Sequence, residues 1–136
     1  MSMSANLSIF DISGRAMAAQ LVRLNTTASN MANAGTVSGS EASAYRAMKP
    51  VFRTVMGDNG SATVAVDRIA TSQTAPTKRH DPAHPLADKD GNIWEAAVDS
   101  AAELVEMIET SRQYQNNVQV LQTAKGLITE TLRLGQ

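Results

Sequence analysis

Phe10, Gly14, Met17, Leu21, Leu24, Ala28 and Met31 succeed one another in steps of 4, 3, 4, 3, 4 and 3. This spacing draws one seam along a helix, interrupted only at Gly14. Gly35 is placed to stop that helix, because glycine accepts the left-handed conformation that helix ends often adopt. The pattern predicts a first helix from Asp11 to Asn33. Towards the other end, Leu104, Met107, Ser111, Tyr114, Val118, Leu121, Lys125, Ile128 and Leu132 alternate in steps of 3 and 4. Val98, Ala101, Val105 and Ile108 form a second, offset stripe, and Val120, Ala124, Leu127, Thr131 and Leu134 a third. No proline follows Pro85, so a second helix from Ile93 to Leu132 is expected. At 1.5 Å per residue it would run to about 60 Å, against about 35 Å for the first.

Two helices of such unequal length cover one another only along the shorter. The longer keeps several turns of apolar stripe without an intramolecular partner, unless the middle segment folds back over them, and an exposed stripe of that kind marks a surface for association. A seam held near 3.5 residues per turn also predicts a left-handed supercoil.

Between the helices, Thr36 to Ala44 is small and polar, so it is expected to be mobile or to borrow order from its neighbours. Val51 to Met56 and Ser61 to Val66 read as two strands around the turn Gly57-Asp58-Asn59-Gly60. Pro76, Pro82 and Pro85 make Thr74 to Asp90 an extended arm. The expected architecture is mainly α: residues 1–35 and 92–136 pair as a coiled coil, and 36–91 form a middle region with a small β-hairpin.

The composition adds limits. The 136 residues carry a net charge of -1, five aromatics and no cysteine, which excludes a disulfide framework and any strong electrostatic pull towards nucleic acid. No run reaches the length of a membrane span, and the first fifteen residues have neither the basic segment nor the apolar core of a secretory signal. Glu95, Asp99, Glu103, Glu106 and Glu109 crowd the start of the second helix, where its dipole favours acids. They read as a solvated face or as a docking surface for a basic partner.

Catalytic chemistry finds no foothold: the chain has no nucleophile elbow, phosphate loop or dinucleotide fingerprint. His80 and His84 stand four apart, but Pro82 and Pro85 deny them the helix that would aim both at one metal. Asp88, Asp90 and Gly91 form a turn rather than a calcium loop. No enzyme activity, cofactor or metal is expected. Trp94 reads as a packing anchor at the start of the second helix.

The amides in the first helix say more. Asn25, Asn30 and Asn33 occupy positions where alanine or leucine would make a better helix. Either they sit in a frayed, hydrated end, or they make contacts between subunits that fix register, as buried amides do in coiled coils.

Arg23-Leu24-Asn25 followed by Ala28-Ser-Asn-Met-Ala-Asn33, Tyr45 to Phe52, His84 to Gly91, and Ser111 to the end with Tyr114-Gln-Asn-Asn117-Val118 and the final Leu-Gly-Gln resemble the bacterial flagellar axial proteins of the basal-body rod and hook. The resemblance runs in order along nearly the whole chain. It implies a structural subunit of the proximal rod, its terminal helices lining the inner layer of a hollow tube that crosses the periplasm, transmits torque and passes exported subunits. It also implies partners in other copies of the chain, other rod proteins, the flagellar type III export apparatus and the surrounding rings, with export that cleaves no signal. The subunit-interface residues it and the periodicity select are Phe10, Met17, Leu21, Leu24, Asn25, Ala28, Asn30, Met31 and Asn33 on the first helix. On the second they are Leu104, Met107, Tyr114, Asn117, Val118, Leu121, Ile128, Leu132 and Leu134. Where the family commonly has Met-Pro-Asn-Val, this chain has Glu95, Ala96, Ala97 and Val98, which is expected to let the second helix begin earlier. The reading from another class is a freestanding coiled-coil adaptor or export chaperone that grips amphipathic helices.

Overall fold

The computed structural model describes residues 8–136. Helix α1 spans Ile9–Asn33, two residues longer at its start than the apolar pattern indicates. Ser8 supplies the reason: its hydroxyl accepts from the Asp11 amide, and the Asp11 carboxylate accepts from the Ser8 amide at 3.0 Å. This reciprocal pair satisfies two otherwise orphaned donors. The Ser8 backbone and side-chain hydrogen bonds hold the Asp11 carboxyl below its ordinary 3.8. The cap is therefore formed at neutral pH and lost as acidification protonates the carboxylate below that range.

Five strands follow: β1 (Val37–Ser38), β2 (Met48–Met56), β3 (Ala62–Thr71), β4 (Thr77–His80) and β5 (Asn92–Glu95). Helix α2 spans Ser100–Leu134. The expectation of a mainly α chain with a minor hairpin is corrected here. Among the described residues helices take 47% and strands 24%, the strands lying in two antiparallel sheets.

The first sheet has the order β1-β5-β4, and its central strand is the segment expected to open the second helix. Strand β5 pairs on one side with Thr77–His80 and on the other with Val37–Ser38. Ile93, fully buried at 0% exposure, anchors it. A strand bonded on both edges satisfies its backbone more completely than a first helical turn would, because that turn leaves its amides orphaned. The helix waits for Asp99, whose carboxylate accepts from the amides of Ala101 and Ala102 at 3.1 and 3.2 Å. Asp99→Ala is expected to cost about 1 kcal/mol, read as a lower urea midpoint of the free chain; an unchanged midpoint would show that the cap is redundant. Trp94 lies in β5, beside the Lys78 ammonium 5.9 Å from its ring centroid.

The small polar segment after α1 takes its order from β5. Ala96 donates to Thr36 and Ala97 to Tyr45, while Ala47 donates back to Ala97. The Ser38 and Ser40 hydroxyls both meet that of Ser43. The expected extended arm is strand only over Thr77–His80, and turns carry Pro82 and Pro85. Those turns close at Gly91, whose φ of +77° suits glycine and whose added Cβ would stand 3.0 Å from both His80 Cε1 and Pro82 Cγ. Gly91→Ala is therefore expected to destabilise by about 1–3 kcal/mol, and a thermal midpoint equal to the parent's would mean the turn relaxes freely. His80 and His84 are separately engaged, His80 Nδ1 with Asn92 Oδ1 and His84 Nδ1 accepting from the Leu86 amide.

The second sheet is the hairpin β2–β3, longer than the two runs that signalled it, with Asp67 as an extra residue where the register shifts opposite Val51 and Phe52. It lies along α1, held where Asn30 reaches Met48 and where the Arg23 guanidinium stacks 4.8 Å from the Phe52 ring centroid. Helix α2 packs on α1 with Gln113 opposite Gln20 and Glu106 opposite Arg23, so the two helices run antiparallel.

Candidate assembly surface

Ser13, Gln20, Arg23 and Thr27 follow one another in steps of 7, 3 and 4 on α1, and Glu103, Glu106, Thr110 and Gln113 in steps of 3, 4 and 3 on α2. These polar and small residues share the contact side of the two helices with the half-buried Met17, Leu24, Met107, Tyr114 and Leu121. Gln20 Nε2 donates to Gln113 Oε1 at 2.7 Å, and Arg23 Nε lies 3.5 Å from Glu106 Oε1. Thr110 is fully buried, and its hydroxyl and Gln20 Oε1 have no hydrogen-bond partner among the described residues. Such a contact adheres weakly: a half-exposed ion pair adds at most about 1 kcal/mol, and each buried orphan oxygen subtracts from the total.

Many of the large apolar residues are outside. Among the described residues the buried hydrophobic side chains are Ala19, Ala44, Ala47 and Ile93. Of the predicted interface positions, Phe10, Leu21, Asn25, Ala28, Leu104, Ile128, Leu132 and Leu134 are exposed. Met17, Leu24, Met31, Asn33, Met107, Tyr114, Asn117, Val118 and Leu121 are half-buried. Asn30 alone is buried, and its amide is used within the chain. Its Oδ1 accepts from the Met48 amide at 2.9 Å and from the Tyr45 hydroxyl at 2.8 Å, while Nδ2 donates to the Met48 carbonyl at 2.8 Å. Asn33 Nδ2 likewise donates to the Ser29 carbonyl.

The exposed apolar set extends beyond the selected positions. Val105, Ile108, Val120 and Leu127 are exposed as well, all on the two offset stripes, which are the signal that marks them in the sequence. Beyond Leu121 every described residue except Ala124 is exposed. This projecting part of α2 has two sides when its residues are laid out at 100° each. Leu121, Ala124, Leu127, Ile128, Thr131, Leu132 and Leu134 fall in one arc, and Gln122, Lys125, Thr129, Glu130 and Arg133 in the other. No described helix is long and apolar enough to cross a membrane.

Comparison with known proteins gives this arrangement its context. Residues 10–38 match the family model described as flagella basal body rod protein, and residues 89–134 match that of the flagellar basal body rod FlgEFG protein C-terminal region. The chain is 44% identical over 134 residues to the flagellar basal-body rod protein FlgC of Salmonella typhimurium, covering 97% of this chain and 99% of that one. The same protein of Yersinia enterocolitica is 45% identical over 132 residues, covering 96% and 98%. That of Buchnera aphidicola from Schizaphis graminum is 35% identical over 133 residues, again covering 96% and 98%. With identity at this level along nearly the whole of both chains, the protein belongs to the FlgC family of flagellar basal-body rod proteins, a non-enzymatic family of structural subunits.

Proposed function

We propose that the exposed apolar helix faces are the surfaces through which this rod subunit is built into the proximal rod, a hollow helical shaft that transmits torque and passes later subunits outward. The carrying observation is the exposure just described, with Leu21, Leu104, Val105, Ile108, Val120, Leu127, Ile128, Leu132 and Leu134 all left uncovered by the chain itself. Burying an exposed leucine or isoleucine contributes about 1.5–3 kcal/mol, so neighbouring rod subunits that cover these faces supply what the isolated helix pair lacks. Stiffness against twisting then comes from many interdigitated contacts disturbed at once.

The terminal helices form the inner layer in this reading and the middle region the outer. The polar arc of Gln122, Lys125, Thr129, Glu130 and Arg133 faces the aqueous bore, while the apolar arc meets neighbours. Passage through the flagellar type III export apparatus and contact of the middle region with a surrounding ring belong to the same reading, as does the site of the assembled rod across the periplasm.

Before assembly the terminal helices lack their partners. Hydrogen exchange on the free chain is expected to show rapid exchange over residues 122–134 and slow exchange at Ile93 and Ala97, which are stitched on several sides. Protection at Leu21, Leu24, Leu121 and Ile128 equal to that at Ile93 would contradict this account. A stable helical dimer that never enters purified basal bodies would favour an adaptor instead.

A further inference from the structure

Asn59 is the one asparagine of the chain that glycine follows, and it lies at the tip of the β2–β3 hairpin. Asp58, Asn59 and Gly60 are all exposed. The tip is closed by Gly57 N donating to the Ser61 carbonyl at 2.8 Å and by Gly60 N donating to the Gly57 carbonyl at 3.0 Å. Gly60 has a φ of +78°, and a Cβ built on it would meet nothing within 4 Å, so the turn selects glycine for its backbone and not for lack of room. The Asn59 side chain is not free in solvent. Its Oδ1 accepts from the Ser61 amide at 3.1 Å and also from the Ser61 hydroxyl. To reach that amide the side-chain carbonyl folds back across Gly60, which turns Cγ towards the Gly60 nitrogen with two donors already on its oxygen.

We propose that this hairpin tip is a self-modification site, where Asn59 loses its amide nitrogen as ammonia and becomes an aspartyl or isoaspartyl residue. The Gly60 nitrogen forms a bond to Asn59 Cγ while its proton passes to water or hydroxide. Proximity replaces an encounter between separate molecules, and glycine has no side chain to shield the attacking nitrogen. Negative charge collects on Oδ1, where the Ser61 amide and hydroxyl stabilise it, because a hydrogen bond strengthens when its acceptor becomes charged. The Cγ–Nδ2 bond then breaks, and the departing nitrogen takes a proton from solvent. Water opens the resulting cyclic imide. Attack at Cγ restores the ordinary backbone with a carboxylate at position 59, whereas attack at the Asn59 main-chain carbonyl leaves the chain running through the side chain. The Gly60 N–H must first leave the Gly57 carbonyl, so the closed hairpin converts slowly. Either product sets a second carboxylate beside Asp58, and the isoaspartyl form adds a backbone carbon inside the turn that Gly57 and Ser61 close.

The test holds the purified, folded chain in mildly alkaline buffer and follows the tryptic peptide between Arg53 and Arg68 by mass spectrometry, against synthetic aspartyl and isoaspartyl standards. Both acids are expected at position 59, with an equal amount of ammonia released, before any acid forms at Asn33 or Asn92. Ser61→Ala is expected to slow the folded chain's conversion by about five- to ten-fold, the gain of a hydrogen bond on meeting a charged acceptor. In urea strong enough to unfold both, parent and variant are expected to convert at nearly equal rates, because the donors no longer converge on Oδ1. An Asn59 left intact in the folded chain over a time that converts the unfolded chain overturns the proposal. So does an equal folded rate for parent and Ser61→Ala, since the turn would then add nothing to the bare Asn-Gly pair. Faster conversion at another asparagine overturns the choice of site.

Discussion

Asn30→Ala is expected to lower the stability of the free chain by about 2–4 kcal/mol. The residue is 1% exposed and its amide makes three hydrogen bonds, two to the Met48 backbone and one to the Tyr45 hydroxyl. Alanine removes all three at once, leaving the Met48 N–H and C=O without this partner and the Tyr45 hydroxyl with only its contact to Ser29 Oγ at 3.3 Å. Because Met48 begins β2, the loss also frees the hairpin from α1 at the point where the chain returns from the first sheet. Tyr45→Phe removes one of the three bonds and is expected to cost about 1 kcal/mol. Urea unfolding of the parent and both variants checks the pair of values. A loss below about 0.5 kcal/mol for Asn30→Ala would mean that the amide does not hold helix to hairpin.

Asn30 also marks where sequence reasoning reaches its limit. That an amide inside a helix needs a partner follows from propensity alone, but which partner depends on a fold that places Met48 and Tyr45 beside it. The helices were legible because their signals are local, apolar repeats and no proline within either, but Gly35 does not take the left-handed conformation expected of it: α1 is capped by Ala34 in a right-handed one. The first sheet was not. Its strand β1 has two residues, β4 is the charged Thr-Lys-Arg-His, and β5 is a four-residue Asn-Ile-Trp-Glu that a helix would also accept. Their pairing joins residues far apart in sequence, and nothing in a short polar segment announces a distant edge. The apolar stripes were visible, but not the side of each helix that meets the other. Ser13, Gln20, Thr27 and Thr110 look like solvent positions by residue type, yet none of them is exposed, whereas on the proposed assembly the larger apolar side chains outside are reserved for neighbouring subunits.

That reservation yields the other large effect. Leu132→Asp is expected to leave the urea midpoint of the free chain unchanged and to abolish incorporation into the rod, with loss of motility. Leu132 is 67% exposed in the chain by itself, so an aspartate there stays hydrated and disturbs no existing contact. In the proposed rod packing the same position would lie under a neighbouring subunit, where an unpaired carboxylate costs several kcal/mol of desolvation. Repeated at every copy, that penalty exceeds what individually weak contacts return. Arg133→Ala, one residue away on the polar arc, is the matched control: it removes a charge without burying one and is expected to incorporate normally. Thus the two variants distinguish a surface that meets protein from one that meets water, although both residues are exposed in the free chain. Leu132→Asp in motile cells with a full complement of rods would show that this arc has no protein against it.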